Sequence, residues 1–529
     1  MARCSLTQVL LSHSGQPYRS NKVRKMAPNS RTGSRKVVGN MLEILSVDRG
    51  SDMPIHRQIY SAIRGYVLDG RLASETRLPA TRTLARHLGV GRNTVIAAYE
   101  QLLAEGFIEA RPGSGTRIAS LLHRPAVPRH RRILLASAHL SRRGELIASR
   151  PQPQRTPNTI NLHPGVPETA TFPRSIWARL LMRNAQRRDD DVVGIEAFAG
   201  HLRLRRAIAG YLGAARGVDC TAEEVIVVTG AQAALDLASR ILMDDGEAAW
   251  IEEPGYLGAR SALVGSGARL APLRVDRQGW HLNDSTLPPP RLIYVTPSCQ
   301  WPFGTIMRMD ERLHLLAIAA RHGAWILEDD YDGEYRFRGQ PIPALRGLDG
   351  ANRVIYVGTF GKTLFPGLRL GFLVVPAELA EPFNRAVSVT GQFAPGLLQV
   401  TVADFIEQGY FASHLRRMRR LYASRQQRFV ELCRQHLGPW MEIAENDSGM
   451  QVFGRFRQPF DDRAVAAASL RHGLDVQPVS INYCCDPPEH GLLLGYAALD
   501  DATAVKAIKA LRASFEDLAR QRPELRRTA

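Results

Sequence analysis

Apolar residues recur every three or four positions between residues 55 and 67, which is the period of an amphipathic helix. The run begins after Pro54 and stops before Gly70, a residue suited to the C-terminal cap of a helix. Its inward-facing positions would be Ile55, Ile59, Ile63 and Tyr66 or Val67. The pattern therefore predicts a first helix in a folded N-terminal segment.

Two more helices are predicted directly after it. The first would cover Thr81–His87, with Thr81 as its N-cap. A turn at 89–91 separates it from a helix that opens at Arg92 and ends before Gly106. The inner face of this last helix would consist of Val95, Tyr99, Leu102 and Leu103.

A short helix, a glycine-containing turn and a second helix form an arrangement that places the start of the second helix in the major groove of DNA. The side chains of Arg92, Asn93 and Thr94 open that second helix and can bind bases or phosphates. Arg82, on the preceding helix, could grip the DNA backbone. Taken alone, Arg92 is better explained as a solvated residue at a helix start, because helix-turn-helix patterns are common by chance.

A hairpin is predicted to follow from two β-prone segments, 107–110 and 116–119, whose loop contains Arg111 and Gly113. The whole stretch, HRQIYSAIRGYVLDGRL followed by RLPATRTLARHLGVGRNTVIAAYEQLLAEGFIEARPGSGT, resembles the winged helix of GntR-type regulators. This resemblance implies DNA contacts from Arg82, Arg92, Asn93, Thr94 and the wing loop with Arg111 and Gly113. One departure is Gly91, where the family usually has Ser or Thr, and the loss of that hydroxyl cap should cost about 1 kcal/mol at most.

The rest of the chain alternates short apolar runs with helical stretches, a pattern typical of a mostly parallel sheet covered on both faces. The predicted strands are Val225–Val228, Ala248–Ile251, Leu292–Val295, Ala324–Leu327 and Val354–Val357. The predicted fold class is therefore α/β. In such sheets a ligand binds at the carboxyl ends of the strands.

Four of the strand ends carry residues with useful chemistry. They are Ala231-Gln232 at a helix start, Tyr256, the pair Asp329 and Tyr331, and finally Thr359, Lys362 and Arg369. A lysine amine in a desolvated cleft can attack an aldehyde, a carboxylate can hold a pyridinium nitrogen, and an arginine with a helix N-terminus can bind a phosphate. Each residue alone could simply face water, but the set predicts a site for pyridoxal phosphate.

The large segment also resembles the fold-type I aminotransferase domain of the MocR/GabR family. The resemblance rests on RGVDCTAEEVIVVTGAQAALDLASRIL, EEPGYLGAR, VTPSCQWPFGTIM, LEDDYDGEYRF and VGTFGKTLFPGLRLGF, and with the winged helix it covers roughly residues 50–515. It implies a head-to-tail homodimer. It also implies Lys362 as the Schiff-base lysine, Asp329 as the pyridinium partner, Tyr331 on the ring hydroxyl and Tyr256 stacked on the ring. Thr359, Arg369 and the backbone at Ala231 and Gln232 would hold the phosphate.

Several positions depart from that family pattern. Gly361 stands in place of a serine before the lysine, Ile195 in place of a tyrosine that reaches the partner subunit, and Cys299 in place of a histidine. Leu493 and Gly258 occupy positions where GabR carries arginines that bind a carboxylate. Each lost charge-assisted contact would cost about 1.5–3 kcal/mol. The departures weaken the expectation of transaminase activity more than that of regulation.

Charge is distributed unevenly over the 529 residues, whose net charge is +18. Residues 1–40 hold eight basic and no acidic residues, and residues 119–158 hold eight arginines and one acid. The positive charge of these two segments flanks the predicted winged helix and would steer it towards DNA. A tail and linker that serve only solubility would show the same charge pattern. The six cysteines form no zinc or disulfide pattern, and with no apolar run of membrane-spanning length they favour a cytoplasmic protein.

We therefore expect four regions: a basic disordered extension at 1–45, a winged helix at 46–119, a basic proline-rich linker at 120–158, and an aminotransferase-like domain at 159–529. A smaller α+β lobe would begin at about residue 376. The predicted function is a transcription regulator that senses pyridoxal phosphate, an amine effector or both through Lys362. The alternatives are a cofactor-independent regulator with a relic domain, and an active aminotransferase.

Overall fold

The computed structural model describes residues 45–111, 115–120, 140–148, 156–187, 198–283, 285–339, 342–485 and 488–521. The chain divides into two compact units, Met1–Ala138 and His139–Ala529. Gly113, Ile195 and nearly all of the predicted N-terminal extension lie outside the described residues. No helix within the described part of the chain is long and apolar enough to span a membrane.

The first unit is a winged helix. Its elements are α1 (Ile55–Leu68), α2 (Thr81–Leu88), α3 (Arg92–Ala104), β1 (Ile108–Arg111) and β2 (Gly115–Ile118), with the two strands antiparallel. Its core is apolar throughout and is formed by fully buried side chains from all three helices: Ile59, Ile63, Leu84, Val95 and Leu102. The three helices and the hairpin therefore appear where the apolar period predicts them.

Two details of the predicted winged helix are wrong. Ala80, not Thr81, is the N-cap of α2, and no side chain there makes a capping hydrogen bond. Leu103 is 46% exposed, whereas Val95, Ala98, Tyr99 and Leu102 are buried. The inner stripe of α3 advances by three or four residues per turn, so Leu102 occupies it and the next residue points outward.

The second unit contains an eight-stranded sheet. Its strands are β4 (Val225–Val228), β5 (Ala248–Glu253), β6 (Arg269–Asp276), β7 (Gly279–Trp280), β8 (Leu292–Val295), β9 (Trp325–Asp329), β10 (Val354–Thr359) and β11 (Gly371–Val374). Their order in the sheet is β4-β11-β10-β9-β8-β5-β6-β7. The strands β5, β6, β8, β9 and β10 run parallel, whereas β11 is antiparallel to both neighbours and β7 is antiparallel to β6. The predicted α/β fold class with a mostly parallel sheet is confirmed.

Helices precede, follow and connect these strands. In chain order they are α4 (Arg142–Ala148), α5 (Arg174–Ala185), α6 (Leu202–Arg216), α7 (Ala231–Leu242), α8 (Leu257–Ser266), α9 (Met309–His322), α10 (Leu345–Leu348), α11 (Phe360–Thr363), α12 (Ala377–Thr390), α13 (Gly396–Glu407) and α14 (Tyr410–Leu437). The apolar side chains of β4, β8 and β9 are buried because helices pack on the sheet, as continuous apolar runs require.

A smaller α+β lobe follows. Its antiparallel sheet has the order β12-β13-β16-β15, and a parallel pair joins β14 to β3 (Ile160–Asn161). Its elements are β12 (Met441–Ile443), β13 (Gln451–Phe456), α15 (Asp462–Arg471), β14 (Leu474–Asp475), β15 (Gln477–Pro478), β16 (Gly491–Gly495) and α16 (Asp501–Gln521).

The predicted linker contains α4, which packs on the large unit. Arg143 pairs with Asp245 at 2.5 Å, and the Ile147 side chain lies against Gly265 of α8. The described part of this segment therefore packs on a domain surface. The remainder of the predicted linker lies mostly outside the described residues.

Candidate functional site

A cavity of about 230 Å³ opens where the parallel strands end. All eight residues predicted for cofactor binding line it: Ala231, Gln232, Tyr256, Asp329, Tyr331, Thr359, Lys362 and Arg369. The lining also includes Gly165, Gly230, Tyr294, Trp301, Gly361, Pro366 and Leu370. Residues as far apart in the chain as Gly165 and Leu370 therefore meet at the edge of the sheet where ligands of α/β proteins bind.

Lys362 lies on α11, immediately after β10. Its ammonium nitrogen is 3.9 Å from the ring centroid of Tyr331 and 5.8 Å from that of Trp301. Gly165 covers the lysine from the other side, with a φ of +69° that favours glycine. A Cβ on Gly165 would lie 3.1 Å from the lysine nitrogen. The amine therefore lies between two aromatic rings on one side and the backbone of Gly165, which has no side chain, on the other.

Asp329 ends β9 with its carboxyl group buried. Its Oδ2 accepts a hydrogen bond of 2.8 Å from the Tyr294 hydroxyl, whereas its Oδ1 is buried without a hydrogen-bond partner among the described residues. Desolvation raises the pKa of this carboxyl to about 6, against the lowering effects of the Tyr294 hydrogen bond and the Lys362 charge. A buried acceptor without a donor is costly, so the geometry suits a ligand that donates there.

The opposite end of the cavity suits an anion, and we call it the anion end: Gly230, Ala231, Gln232, Thr359 and Arg369. Helix α7 begins at Ala231, so its first backbone N–H groups and its positive dipole end face the cavity. Gly230 has a φ of +106°, and a Cβ there would lie 3.8 Å from the Arg369 guanidinium carbon. The Thr359 hydroxyl accepts from the Gly361 N–H at 3.1 Å and keeps its own proton to donate.

Three aromatic rings form the side of the cavity beyond Lys362, and we call them the aromatic wall: Tyr256, Trp301 and Tyr331. The ring of Trp301 is 5.7 Å from that of Tyr256 and 6.0 Å from that of Tyr331, both edge to face. Burial raises the pKa of Tyr256 to about 12. The Trp301 indole N–H donates to Asn482 Oδ1 at 2.9 Å, which fixes the ring.

Sequence reasoning missed Tyr294 and Trp301 in this cavity. The strand β8 was predicted, but no chemistry was assigned to its side chains or to the segment that follows it. The signal available was the run YVTPSCQW, which places an aromatic residue inside a strand and another just beyond its end. Period-2 alternation alone does not tell which face of a fully buried strand meets a cavity.

The departures from the family pattern fall at identifiable places. Cys299 and Leu493 are buried and pack with Trp301 and Tyr331 in one apolar cluster behind the wall. A Cβ on Gly258 would lie 2.4 Å from both Gln232 Oε1 and the Tyr256 ring. The local packing therefore leaves no room for a side chain at position 258.

The predicted DNA-binding residues lie mostly on the surface of the winged helix. Arg92 and Asn93 are exposed in the first turn of α3, Thr94 is half-buried, and Arg82 is exposed on α2. Arg49 donates to the backbone oxygen of Gly89 at 2.7 Å and so braces the turn between the two helices. The N-terminal end of α3 is therefore exposed to solvent, and Arg49 holds the turn that precedes it.

Arg111 is placed differently. Its guanidinium is 3.0 Å from a carboxylate oxygen of Glu75 and 2.5 Å from one of Glu109. Both pairs are partly exposed, so each is worth little to the fold. Contact between this arginine and a phosphate would require exchange of these partners.

Comparison with protein families gives two matches along the chain. Residues 55–118 match "Bacterial regulatory proteins, gntR family", and residues 157–511 match "Aminotransferase class I and II". Among solved structures, the α-aminoadipate aminotransferase LysN of Thermus thermophilus, complexed with N-(5'-phosphopyridoxyl)-L-leucine, is 26% identical with a TM-score of 0.64. That match covers 69% of this chain and 94% of LysN.

Two curated relatives match both units at once. The probable rhizopine catabolism regulatory protein MocR of Rhizobium meliloti is 52% identical over 89% of this chain and 96% of its own length. The pyridoxine biosynthesis regulator PdxR of Corynebacterium glutamicum is 31% identical over 85% of this chain and 93% of its own length. The chain therefore belongs to the MocR-like family of GntR-type transcription regulators, in which a helix-turn-helix domain precedes an aminotransferase-like domain.

Proposed function

We infer that this regulator binds pyridoxal phosphate in the cavity of its large domain and that an amine effector acts there to change its binding to operator DNA. The observation that carries this inference is the buried, unpartnered Oδ1 of Asp329, in one cavity with Lys362 and the anion end. A carboxylate, an amine and an anion site at these positions match the pyridine nitrogen, the aldehyde and the phosphate of pyridoxal phosphate.

Each end of the cavity would hold one part of the cofactor. The first N–H groups of α7, the Arg369 guanidinium and the Thr359 hydroxyl would bind the phosphate. Asp329 Oδ1 would accept from the ring nitrogen while Tyr294 holds the other carboxylate oxygen. Tyr331 would meet the ring hydroxyl, and Tyr256 would stack on the ring. The present residues thus fit the group.

Lys362 would be the point of attachment. Pyridoxal phosphate supplies, when bound, an aldehyde that combines reversibly with primary amines. Lys362 is carried on a short helix between Phe360 and Thr363, both buried, so its backbone is fixed while its amine faces the cavity. Gly165 and the ring of Tyr331 limit the positions that the amine can take.

The winged helix would bind the operator through Arg82, Arg92, Asn93 and Thr94, with Arg111 and Gly113 of the wing as further contacts. Arg92 and Asn93 are exposed at the start of the recognition helix, where base edges are reached. We also propose a head-to-tail homodimer, which rests on the resemblance to the MocR/GabR family. Light scattering on the purified protein measures this state.

The test is the visible absorbance of purified protein with added pyridoxal phosphate, compared between the wild type and Lys362→Ala. Lys506→Ala, at an exposed lysine of α16, is the matched control for adventitious reaction with surface amines. We expect a visible band in the wild type and in Lys506→Ala that Lys362→Ala lacks. Identical spectra for wild type and Lys362→Ala would sink the cofactor claim and leave a cofactor-independent DNA-binding regulator.

A second measurement tests whether cofactor binding in the large domain changes DNA binding by the winged helix. Binding to the DNA upstream of the protein's own gene is compared with and without pyridoxal phosphate, beside unrelated DNA of equal length. We expect the cofactor to change the affinity of the wild type and not that of Lys362→Ala. Sustained conversion of amino acids to keto acids by the loaded protein would instead favour an aminotransferase.

A further inference from the structure

The charged groups of the cavity leave one side without a cation. Of the described residues that line it, Lys362 and Arg369 are positive and Asp329 is negative. Arg369 lies at the anion end, beside Gly230 and the start of α7. If the cofactor binds as proposed above, Arg369 pairs with its phosphate and Lys362 is bonded to it, so neither cation is left to pair with a carboxylate on the aromatic wall.

The apolar cluster behind the aromatic wall contains no cation among the described residues either. Val479 and Leu493 are fully buried and Cys299 is 2% exposed, and all three pack with Trp301 and Tyr331. Leu493 lies in the middle of β16, between Phe453 of β13 and Gln477 of β15. Neither the wall nor the strand behind it offers a positive charge.

One further arginine, Arg260 on α8, lies four residues beyond Tyr256, but both terminal nitrogens of its guanidinium are already hydrogen-bonded. Its Nη2 donates to the backbone oxygen of Asn482 at 2.7 Å, and the same nitrogen is 3.7 Å from Glu253 Oε2. Its Nη1 donates to the backbone oxygen of Tyr483 at 3.3 Å. Arg260 thus secures the turn that also fixes Trp301 through Asn482.

A carboxylate placed on this wall would lose its water and gain no cation, and burial of an unpaired charge is strongly unfavourable. An apolar or aromatic body would instead replace water on the part of the wall that the cofactor leaves free, which is Trp301 beside the two tyrosines. We propose that the effector of this regulator is a primary amine without a carboxylate, whose apolar or aromatic body lies on Trp301. This proposal rests on the proposed cofactor and narrows the class of ligand that acts with it.

The experiment compares each amine with its carboxylated counterpart on the full-length protein loaded with pyridoxal phosphate. The pairs are phenethylamine with phenylalanine and isopentylamine with leucine. Binding is followed by the change in the visible spectrum and by calorimetry, and each ratio is corrected by the ratio for free pyridoxal phosphate. We expect each amine to bind at least about tenfold more tightly than its amino acid, because the buried carboxylate has no partner.

The outcomes are distinct. Equal or tighter binding of the amino acids would overturn the proposal, and loss of that binding in Arg260→Met would identify Arg260 as the cation involved. A loaded protein that responds to neither pair would overturn it too. If the protein does not bind pyridoxal phosphate, the Lys362-dependent band will be absent in the earlier experiment. That result would overturn both proposals.

A gain of function provides a second readout. Leu493→Arg places a cation behind the wall, and Leu493→Met is the control of similar length without charge. We expect the arginine variant to bind phenylalanine more tightly relative to phenethylamine, by about tenfold, and the methionine variant to keep the wild-type ratio. Circular dichroism checks that each variant folds. If Leu493→Arg does not fold, the ratio of amine to amino-acid binding in the wild type tests the proposal.

Discussion

In the winged helix the residues proposed for function lie on the surface, whereas in the large domain they are buried. Arg82 and Arg92 are exposed, and the core beneath them contains only apolar side chains such as Leu84 and Val95. Asp329 by contrast is 5% exposed and leaves one oxygen unsatisfied. The DNA-binding residues therefore add nothing to the cost of folding, while the cofactor site is built at the expense of stability.

The same contrast extends to neighbouring acids of the large domain. Burial raises the pKa of Glu252 and Glu328 to about 7 and that of Asp332 to about 6. Their hydrogen bonds offset part of this penalty. Glu252 accepts from Thr296 and from the Trp280 indole, and Glu328 accepts from two backbone N–H groups of α10. Asp330 and Asp332 also keep one carboxylate oxygen without a partner among the described residues, but of these acids only Asp329 lines the cavity where a ligand could donate to it.

The largest effect is expected from Asp329→Asn. Loss of a charge-assisted hydrogen bond of about 1.5–3 kcal/mol should weaken pyridoxal phosphate binding by about tenfold to a hundredfold. The melting temperature of the cofactor-free protein should stay the same or rise, because a buried charge is removed and the amide oxygen still accepts from Tyr294. Titration followed by absorbance and by thermal unfolding measures both.

Asp330→Asn is the matched control one residue along the chain. Asp330 faces away from the cavity, where it pairs with Arg216 at 2.7 Å and accepts from the Tyr356 hydroxyl. Its variant should melt at a lower temperature with little change in cofactor affinity, since Arg216 keeps a buried charge without its partner. If Asp329→Asn destabilises the protein and leaves cofactor binding intact, the claim that the cofactor site is built at the expense of stability is wrong.

For Arg92→Ala we expect the reverse pattern in the winged helix. Affinity for the DNA upstream of the protein's own gene should fall by about 1–3 kcal/mol, or roughly fivefold to over a hundredfold, with no change in melting temperature. Arg57→Ala, at an exposed arginine of α1 outside the helix-turn-helix, should reduce affinity much less and equally for unrelated DNA. A lower melting temperature for Arg92→Ala would show that Arg92 has a structural role.

A smaller effect is expected from the buried His414 on α14. Burial and the nearby Arg417 lower the pKa of His414 to about 4. The unfolded chain, with a histidine pKa near 6.5, then binds more protons than the folded chain between about pH 6.5 and 4. Stability should therefore fall as the pH drops through this window, by about 1–2 kcal/mol at pH 5.

His414→Gln should flatten that part of the pH profile, and His314→Gln, at an exposed histidine of α9, should not. Thermal unfolding of the large domain at pH 5 and pH 7 measures the difference. An unchanged slope in His414→Gln would assign the acid sensitivity to other groups.

The sequence predicts the elements of both units well because their signals are local. Apolar period places α1 to α3, and continuous apolar runs place β4, β8 and β9. The run Glu328-Asp329-Asp330-Tyr331 shows where this local signal ends. The strand alternates faces, so Asp329 and Tyr331 line the cavity while Glu328 and Asp330 bind α10 and Arg216. Without the resemblance to a family, nothing in those four residues tells which pair faces the ligand.

Contacts between residues far apart in the sequence could not be predicted from local sequence patterns. Gly165 covers Lys362 from a loop almost 200 residues earlier, and Tyr294 holds Asp329 from the neighbouring strand. These contacts depend on sheet order and on the path of loops, which apolar periodicity does not encode. The exposed Leu103 shows the converse error, because an apolar residue next to an inner stripe need not belong to it.

The smallest expected effect is a gain at the anion end. A Cβ on Gly361 would lie 3.3 Å from Thr359 Oγ1 and 3.9 Å from Pro366 Cα, so a small side chain fits with a slight shift of the threonine. Gly361→Ser would place a further hydroxyl among the groups proposed to bind the phosphate. One neutral hydrogen bond is worth about 0.5–1.5 kcal/mol, so cofactor affinity should rise by about twofold to tenfold. Gly361→Ala adds the Cβ without the hydroxyl and should bring no gain. Equal affinities for the serine and alanine variants would mean that the phosphate does not reach position 361.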